Sequence, residues 1–178
     1  MDMLRIGSSL KNLVIMSLQV GYPIGYALTP IINPHNLTIA GFFCNTPDVP
    51  APAVLLAQDI RDITGNRIVI DNGDEIRPAE DLIRLKDIIR INYVIEGKKI
   101  ITESKHGLGK AENYIVNDED LIIRKIHVAK SSFLGLSGGK LIVDRDQVVA
   151  TNDRAIVVKD GTEKIRIAKP TLAATPTT

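Results

Sequence analysis

IGYALTPIINPHNLTIAGFF (residues 24–43) and LGKAENYIVNDEDLIIRKIH (residues 108–127) carry one pattern twice, 84 residues apart and without a gap. Ile24-Gly25 falls on Leu108-Gly109, and Asn36-Leu37 falls on Asp120-Leu121. In each stretch a hydrophobic-Gly pair opens an apolar run, a polar turn follows, and a second apolar run closes the unit. Turn-forming residues between two runs of strand length predict a pair of strands. A fixed internal period means a repeated structural unit, here two copies of one small β module.

Working outward, DIRDITGNRIVI (59–70) lines up with DQVVATNDRAIV (146–157) at a shift of 87, which implies a loop three residues longer in the second copy. Asp59 then meets Asp146, Thr64 meets Thr151 and Arg67 meets Arg154. The first copy predicts strands at Leu13–Ser17, Gly25–Ile32, Leu37–Cys44 and Arg67–Asp71, with a short segment near Val54–Ile63. The second predicts them at Lys99–Thr102, Gly109–Val116, Leu121–Val128, Leu141–Val143 and Ala155–Lys159. Residues 79–91 (AEDLIRLKDIIRI) change period: Leu82, Leu85 and Ile89 recur at helical spacing, behind Pro78 and the acidic pair Glu80-Asp81. That predicts an amphipathic helix joining the copies. Met1–Leu10 reads as a mobile start, and the tail KPTLAATPTT (169–178) as disordered.

Composition fits a globular chain of 178 residues, 44% hydrophobic and 24% charged. Trp is absent and aromatics are 4%, so the core must be built from Ile, Val and Leu, which suits strands. The net charge of +1 is unevenly split. Residues 1–85 hold six Lys/Arg against nine Asp/Glu, and residues 86–178 hold sixteen against twelve. Cys44 is the only cysteine, so no intrachain disulfide forms and a reducing compartment is expected. Its place at the end of an apolar run marks it as a small buried hydrophobe. No apolar stretch approaches the roughly 18 residues of a membrane helix, so no integral membrane segment is expected and a cytoplasmic location is the default.

With these elements placed, the repeat resembles the PRC-barrel domain. The resemblance rests on GYPIGYALTPIINPHNLTIAGFF (21–43) and TESKHGLGKAENYIVNDEDLIIRKIHV (102–128). It extends to LLAQDIRDITGNRIVI (55–70) and LIVDRDQVVATNDRAIVV (141–158). It implies an all-β chain of two tandem small PRC-type β-barrels joined by a short helix. The expected divisions are barrel 1 at 12–78, a helical linker at 79–91, barrel 2 at 92–168 and the tail at 169–178. Gly21, Gly25, Gly107 and Gly109 become turn glycines, at places where a side chain is excluded. The family includes the cytoplasmic part of the photosynthetic reaction-centre H subunit and the C-terminal domain of the RimM-type ribosome maturation factor. This chain lacks the membrane helix of the first. It has another barrel where the second has a different N-terminal domain.

The resemblance implies binding rather than catalysis, and the residues offer no competing chemistry. His35, His106 and His127 are scattered and share no metal-ligand spacing. Ser137-Gly138-Gly139-Lys140 lacks the spacing of a phosphate loop, since Gly135 stands too close and Leu141 follows the lysine. Asp144 and Asp146, and Asp118 and Asp120, are paired carboxylates without a surrounding ligand loop. No enzyme activity, cofactor or metal is expected. The expected role is a non-enzymatic adaptor that docks a protein partner, with a ribosomal or RNA-associated role as the alternative and homo-oligomerisation left open. Contact residues are expected at Phe133, Leu134 and Leu136 in the Gly/Ser loop 131–140, and at Arg124 and Lys125; the Pro-rich loop 45–53 is its counterpart in the first copy. The basic residues of the second copy, such as Lys98, Lys105 and Lys130, keep the RNA alternative open, although interleaved acids weaken a phosphate-tracking stripe.

Overall fold

Leu13, Ile15 and Ser17 point inward while Val14 and Met16 point outward, and this alternation sets the first strand of the first copy. A computed structural model describes residues 3–130 and 140–162. The expectations for the loop at 131–139 and for the tail lie outside the described residues. With 51% strand the chain is mostly β, as its aliphatic composition predicts.

β1 (Leu4–Ile6) precedes the first copy. That copy contains β2 (Leu13–Ser17), β3 (Pro23–Asn33), β4 (Thr38–Asn45), β5 (Ala53–Leu56), β6 (Asp62–Thr64) and β7 (Arg67–Ile70). β8 (Ile76–Pro78) and α1 (Lys86–Ile91) lead to the second copy. It contains β9 (Lys99–Thr102), β10 (Gly107–Asn117), β11 (Ile123–Ala129), β12 (Lys140–Asp144), β13 (Val148–Thr151) and β14 (Ala155–Val158). One sheet runs β6-β7-β2-β3-β4-β5-β8 and the other β12-β11-β10-β9-β14-β13, with β1 also on β10. Both are mixed: β2 runs parallel to β7 and β9 parallel to β14, and every other pair is antiparallel. One sheet curls into a half-barrel.

The register corrects the alignment of the later hairpin. Ile15 lies opposite Ile68 and Ile100 opposite Ile156, while Gly41 faces Leu56 and Lys125 faces Asp144. The shift is therefore 84 at β4 and 88 beyond it. Arg67 corresponds to Ala155 rather than Arg154, and Thr151 to Ile63 rather than Thr64. A one-residue slip exchanges the two faces of a strand. The shift of 88 keeps buried Ile68 and Ile70 on buried Ile156 and Val158.

Two further expectations are overturned. The start of the chain is structured: Gly7–Leu10 forms a 3-10 turn and Leu10 is wholly buried. Moreover, β1 pairs with the second copy, Arg5 opposite Val116 and Ile6 opposite Ile115. Tyr93, just after the linker, returns the exchange by bridging to Ile32 of β3. The helix expected over 79–91 is confined to Lys86–Ile91, behind 3-10 turns at Ala79–Asp81 and Ile83–Leu85. Leu82 leaves helical geometry (φ −93, ψ 68) and packs against Ile31 and Val54. Burial of that one side chain outweighs the propensity of a short helix, which is marginal by itself.

The two copies meet on an approximate two-fold axis. Thr38 lies opposite Ile122, the Ile39 N–H donates to the Leu121 carbonyl at 2.9 Å, and the Ile123 N–H donates to the Leu37 carbonyl at 2.9 Å. Exchange of the copies maps this contact onto itself, as at an isologous interface. Leu37 (φ 50) and Leu121 (φ 53) hold the same left-handed conformation, and both side chains are buried. Both were expected to begin strands; instead each ends the preceding turn. One buried cluster runs through both copies, from Ile15 and Phe42 to Tyr114, Ile123 and Ile156.

The glycine pairs differ in what they exclude. A Cβ at Gly25 would stand 2.5 Å from the Asn45 carbonyl oxygen, and one at Gly109 would stand 2.1 Å from that of Ala129. Asn45 and Ala129 are themselves equivalent at the shift of 84. Gly21 (φ 74) lies in the turn after β2, and a side chain at Gly107 would meet open space.

Candidate functional site

The outer face of the first sheet is apolar where the second copy is charged. Val14 lies opposite Tyr26, and Met16 opposite Val69. Leu28, at the bulge between Ala27 and Thr29, is exposed as well. The loop after β2 adds Leu18, Val20 and Tyr22. Leu18 is 56% exposed, Tyr22 60% and Tyr26 53%. Lys99 takes the place of Val14 in the second copy, as its pairing with Lys110 shows. Lys110 stands for Tyr26, Glu112 for Leu28 and His106 for Tyr22. Farther along, the outer face is covered: Leu82, Leu85, Ile88 and Ile89 of the linker close over Ile31, Phe43 and Val54. Among the described residues, the strip around β2 and β3 has no such cover.

Two hollows flank the loop that carries Leu18 and Tyr22. One, of about 560 Å³, lies between Met16, Leu18, Gly21 and Val69. The other, of about 550 Å³, is lined by Val20, Tyr22, Ile24 and Val49, with exposed Asp48 and Asp74 on its rim. An apolar floor with a carboxylate rim suits an apolar anchor flanked by basic groups.

The two-fold axis creates a second feature, a pair of equivalent clefts between the copies. The first, of about 340 Å³, is lined by Pro34, His35 and Leu37 of one copy and by Arg145, Val148, Val149 and Ala150 of the other. Its counterpart, of about 290 Å³, has Asp118, Glu119 and Leu121 facing Ala57, Ile60, Arg61 and Asp62. Each residue in the second group occupies the place of its partner in the first, at the shifts of 84 and 88. In the second cleft Arg5 pairs with Asp118 at 3.0 Å and donates to the Gly65 carbonyl at 2.6 Å.

The residues singled out in the sequence are dispersed. Arg124 pairs with Asp120, and Lys125 lies 3.3 Å from Asp144. Asp144 also caps the 3-10 turn Arg145–Gln147. Lys98 sits 4.4 Å above the Tyr93 ring and donates to the Asp153 carbonyl at 2.7 Å. These cations are held by acids, a ring and a carbonyl of their own chain. Phe133, Leu134 and Leu136 lie outside the described residues. His35 and His106 are exposed and His127 is half-buried in β11. Among the described residues, no three His, Cys, Asp or Glu side chains gather where they could hold a metal. Cys44 is buried and donates weakly to the Phe42 carbonyl. Burial pushes its thiol up to about 12, against a smaller opposing effect of the Leu55 backbone. Burial likewise pushes the Tyr93 phenol up to about 12, so it stays a donor throughout the neutral range.

The outer face escaped the sequence reading, although one signal was present. LVIM at 13–16 and IGYAL at 24–28 are apolar on both strand faces, the pattern of a strand that is covered on both sides. No helix among the described residues is long and apolar enough to cross a membrane. Comparison with protein-family models and with curated proteins finds no match for this chain.

Proposed function

We propose that this protein is a non-enzymatic adaptor built on two PRC-type barrel repeats, and that it docks a protein partner on the outer face of its first copy. The observation that carries this reading is the uncovered strip of Leu18, Tyr22, Tyr26 and Leu28, beside the stretch of the same sheet that the linker covers. Contiguous apolar surface on a folded chain marks an interaction site, and tyrosines are typical anchors of such interfaces. The repeated strand order, with one parallel pair in each copy, supports two copies of one module. Asp48 and Asp74 favour a basic, apolar-tipped protein segment and repel a polyanion. RNA is thereby disfavoured at this hollow, while Arg67 lines the other.

Tyr26→Lys tests the reading, because lysine is the residue that the second copy carries at the same place. The variant should keep its melting temperature while the partner retained by the native chain is lost, a reduction in affinity of about 30-fold for an anchor worth roughly 2 kcal/mol. Unchanged retention would remove the outer face from the account. Retention of RNA that disappears as salt rises would favour the ribosomal alternative.

A further inference from the structure

We propose that the cleft between the 34–37 turn and residues 145–151 is a binding site for a small oxyanion, a phosphate or carboxylate group, with Arg145 as its principal ligand. Arg145 is half-buried and forms no ion pair among the described residues. Its Nη2 donates to the Asn36 carbonyl at 2.6 Å, which fixes the guanidinium at the cleft wall. Its Nε is buried and has no acceptor. A guanidinium withdrawn from water normally meets a carboxylate or phosphate through two parallel donors. Here one donor is anchored on the backbone and another is unmatched.

Tyr93 lies behind the cleft wall: it is 5% exposed, and its buried hydroxyl sits against the Thr151 side chain. Thr151 lines the cleft and donates to the Pro34 carbonyl at 2.9 Å. Buried polar groups are almost always paired, and the unmatched Nε of Arg145 stands out against that rule. The volume, about 340 Å³, lies at the small end of ligand sites.

The pseudo-symmetric cleft supplies the contrast. Where the first has Pro34, His35, Ala150 and Arg145, the second has Asp118, Glu119, Asp62 and Ala57. Among the described residues no carboxylate lines the first cleft, whereas three line the second beside Arg61, with Arg5 paired to Asp118. The same backbone frame therefore carries different electrostatics, and the first cleft is the one that offers a cation without an acid.

The test is an NMR titration of the full chain with sodium phosphate and, separately, sodium acetate at constant ionic strength. The amides of 34–37 and 145–151 should shift together and saturate, while those of 57–62 and 118–121 stay still. Arg145→Ala copies the residue at the equivalent place, Ala57, and should weaken binding on the order of 10- to 100-fold. Arg145→Lys keeps the charge without the fork and should fall between. Saturation by phosphate alone would assign a phosphate group, and saturation by acetate alone a carboxylate. Shifts scattered over surface lysines, failure of both salts to saturate, or binding unchanged in Arg145→Ala with a native spectrum would overturn the proposal.

Discussion

Gly109→Ala lowers stability by about 3 kcal/mol or more, the sum of a backbone conformation that alanine disfavours and a contact that must be relieved. Gly109 holds φ 141, and its missing Cβ would lie 2.1 Å from the Ala129 carbonyl oxygen and 3.0 Å from a Val128 methyl. Neither neighbour yields easily, since Lys110 and Ala129 are paired across the β10–β11 ladder. For a chain of this length the loss corresponds to a fall in melting temperature of roughly 10 °C. Gly25→Ala makes the matching intrusion on Asn45 at 2.5 Å without the positive φ, so its effect is smaller, about 1–3 kcal/mol. Thermal melts of the two variants should therefore rank them in that order. Equal and negligible shifts would mean that the two close approaches are not fixed parts of the repeat.

Leu10→Ala has an effect of similar size, for a different reason. Leu10 is wholly buried and belongs to the shared core, although it precedes every strand of the first copy. Truncation of a buried leucine costs about 2–5 kcal/mol, through lost burial and the cavity left behind. The damage should reach the second copy, because β1 and the turn it leads into lie on β10, and Gly7 packs against the ring of Tyr114. Hydrogen exchange should accelerate at Ile115 and Val116 as well as in the first sheet. A loss of stability under 0.5 kcal/mol, or exchange altered only near residue 10, would return the start of the chain to a loose tail.

These two residues show what the sequence made legible. Ile24-Gly25 and Leu108-Gly109 stand in the chain as matched pairs, so the repeat, its period and most strand centres could be read directly. β2 and β9 match their expected bounds. Leu10 could not be read the same way, because the segment before it lies on β10, in the other copy, and nothing local distinguishes a short apolar segment that swaps onto the other copy from a frayed terminus. The later hairpin shows the same limit. Three chance identities, Asp59 with Asp146, Thr64 with Thr151 and Arg67 with Arg154, favoured a shift one residue short of the true register. Only strand pairing separates the two alignments. The candidate site was hidden for a third reason. Val14 and Tyr26 stand in apolar stretches of strand, and their outward direction emerges only once Leu13, Ile15 and Ala27 are seen to fill the inside. The paired clefts depend wholly on the two-fold contact at Leu37 and Leu121, whose left-handed backbone is held by leucine rather than by the glycine or asparagine that usually announces it.

The account rests on the two copies forming one cooperative body around that contact, so differential scanning calorimetry of the full chain tests it most directly. One shared core predicts a single transition whose calorimetric and van't Hoff enthalpies agree, moved as a whole by Leu10→Ala. Two resolved transitions, with only one displaced by that substitution, would contradict it and leave the copies as independent barrels on a linker.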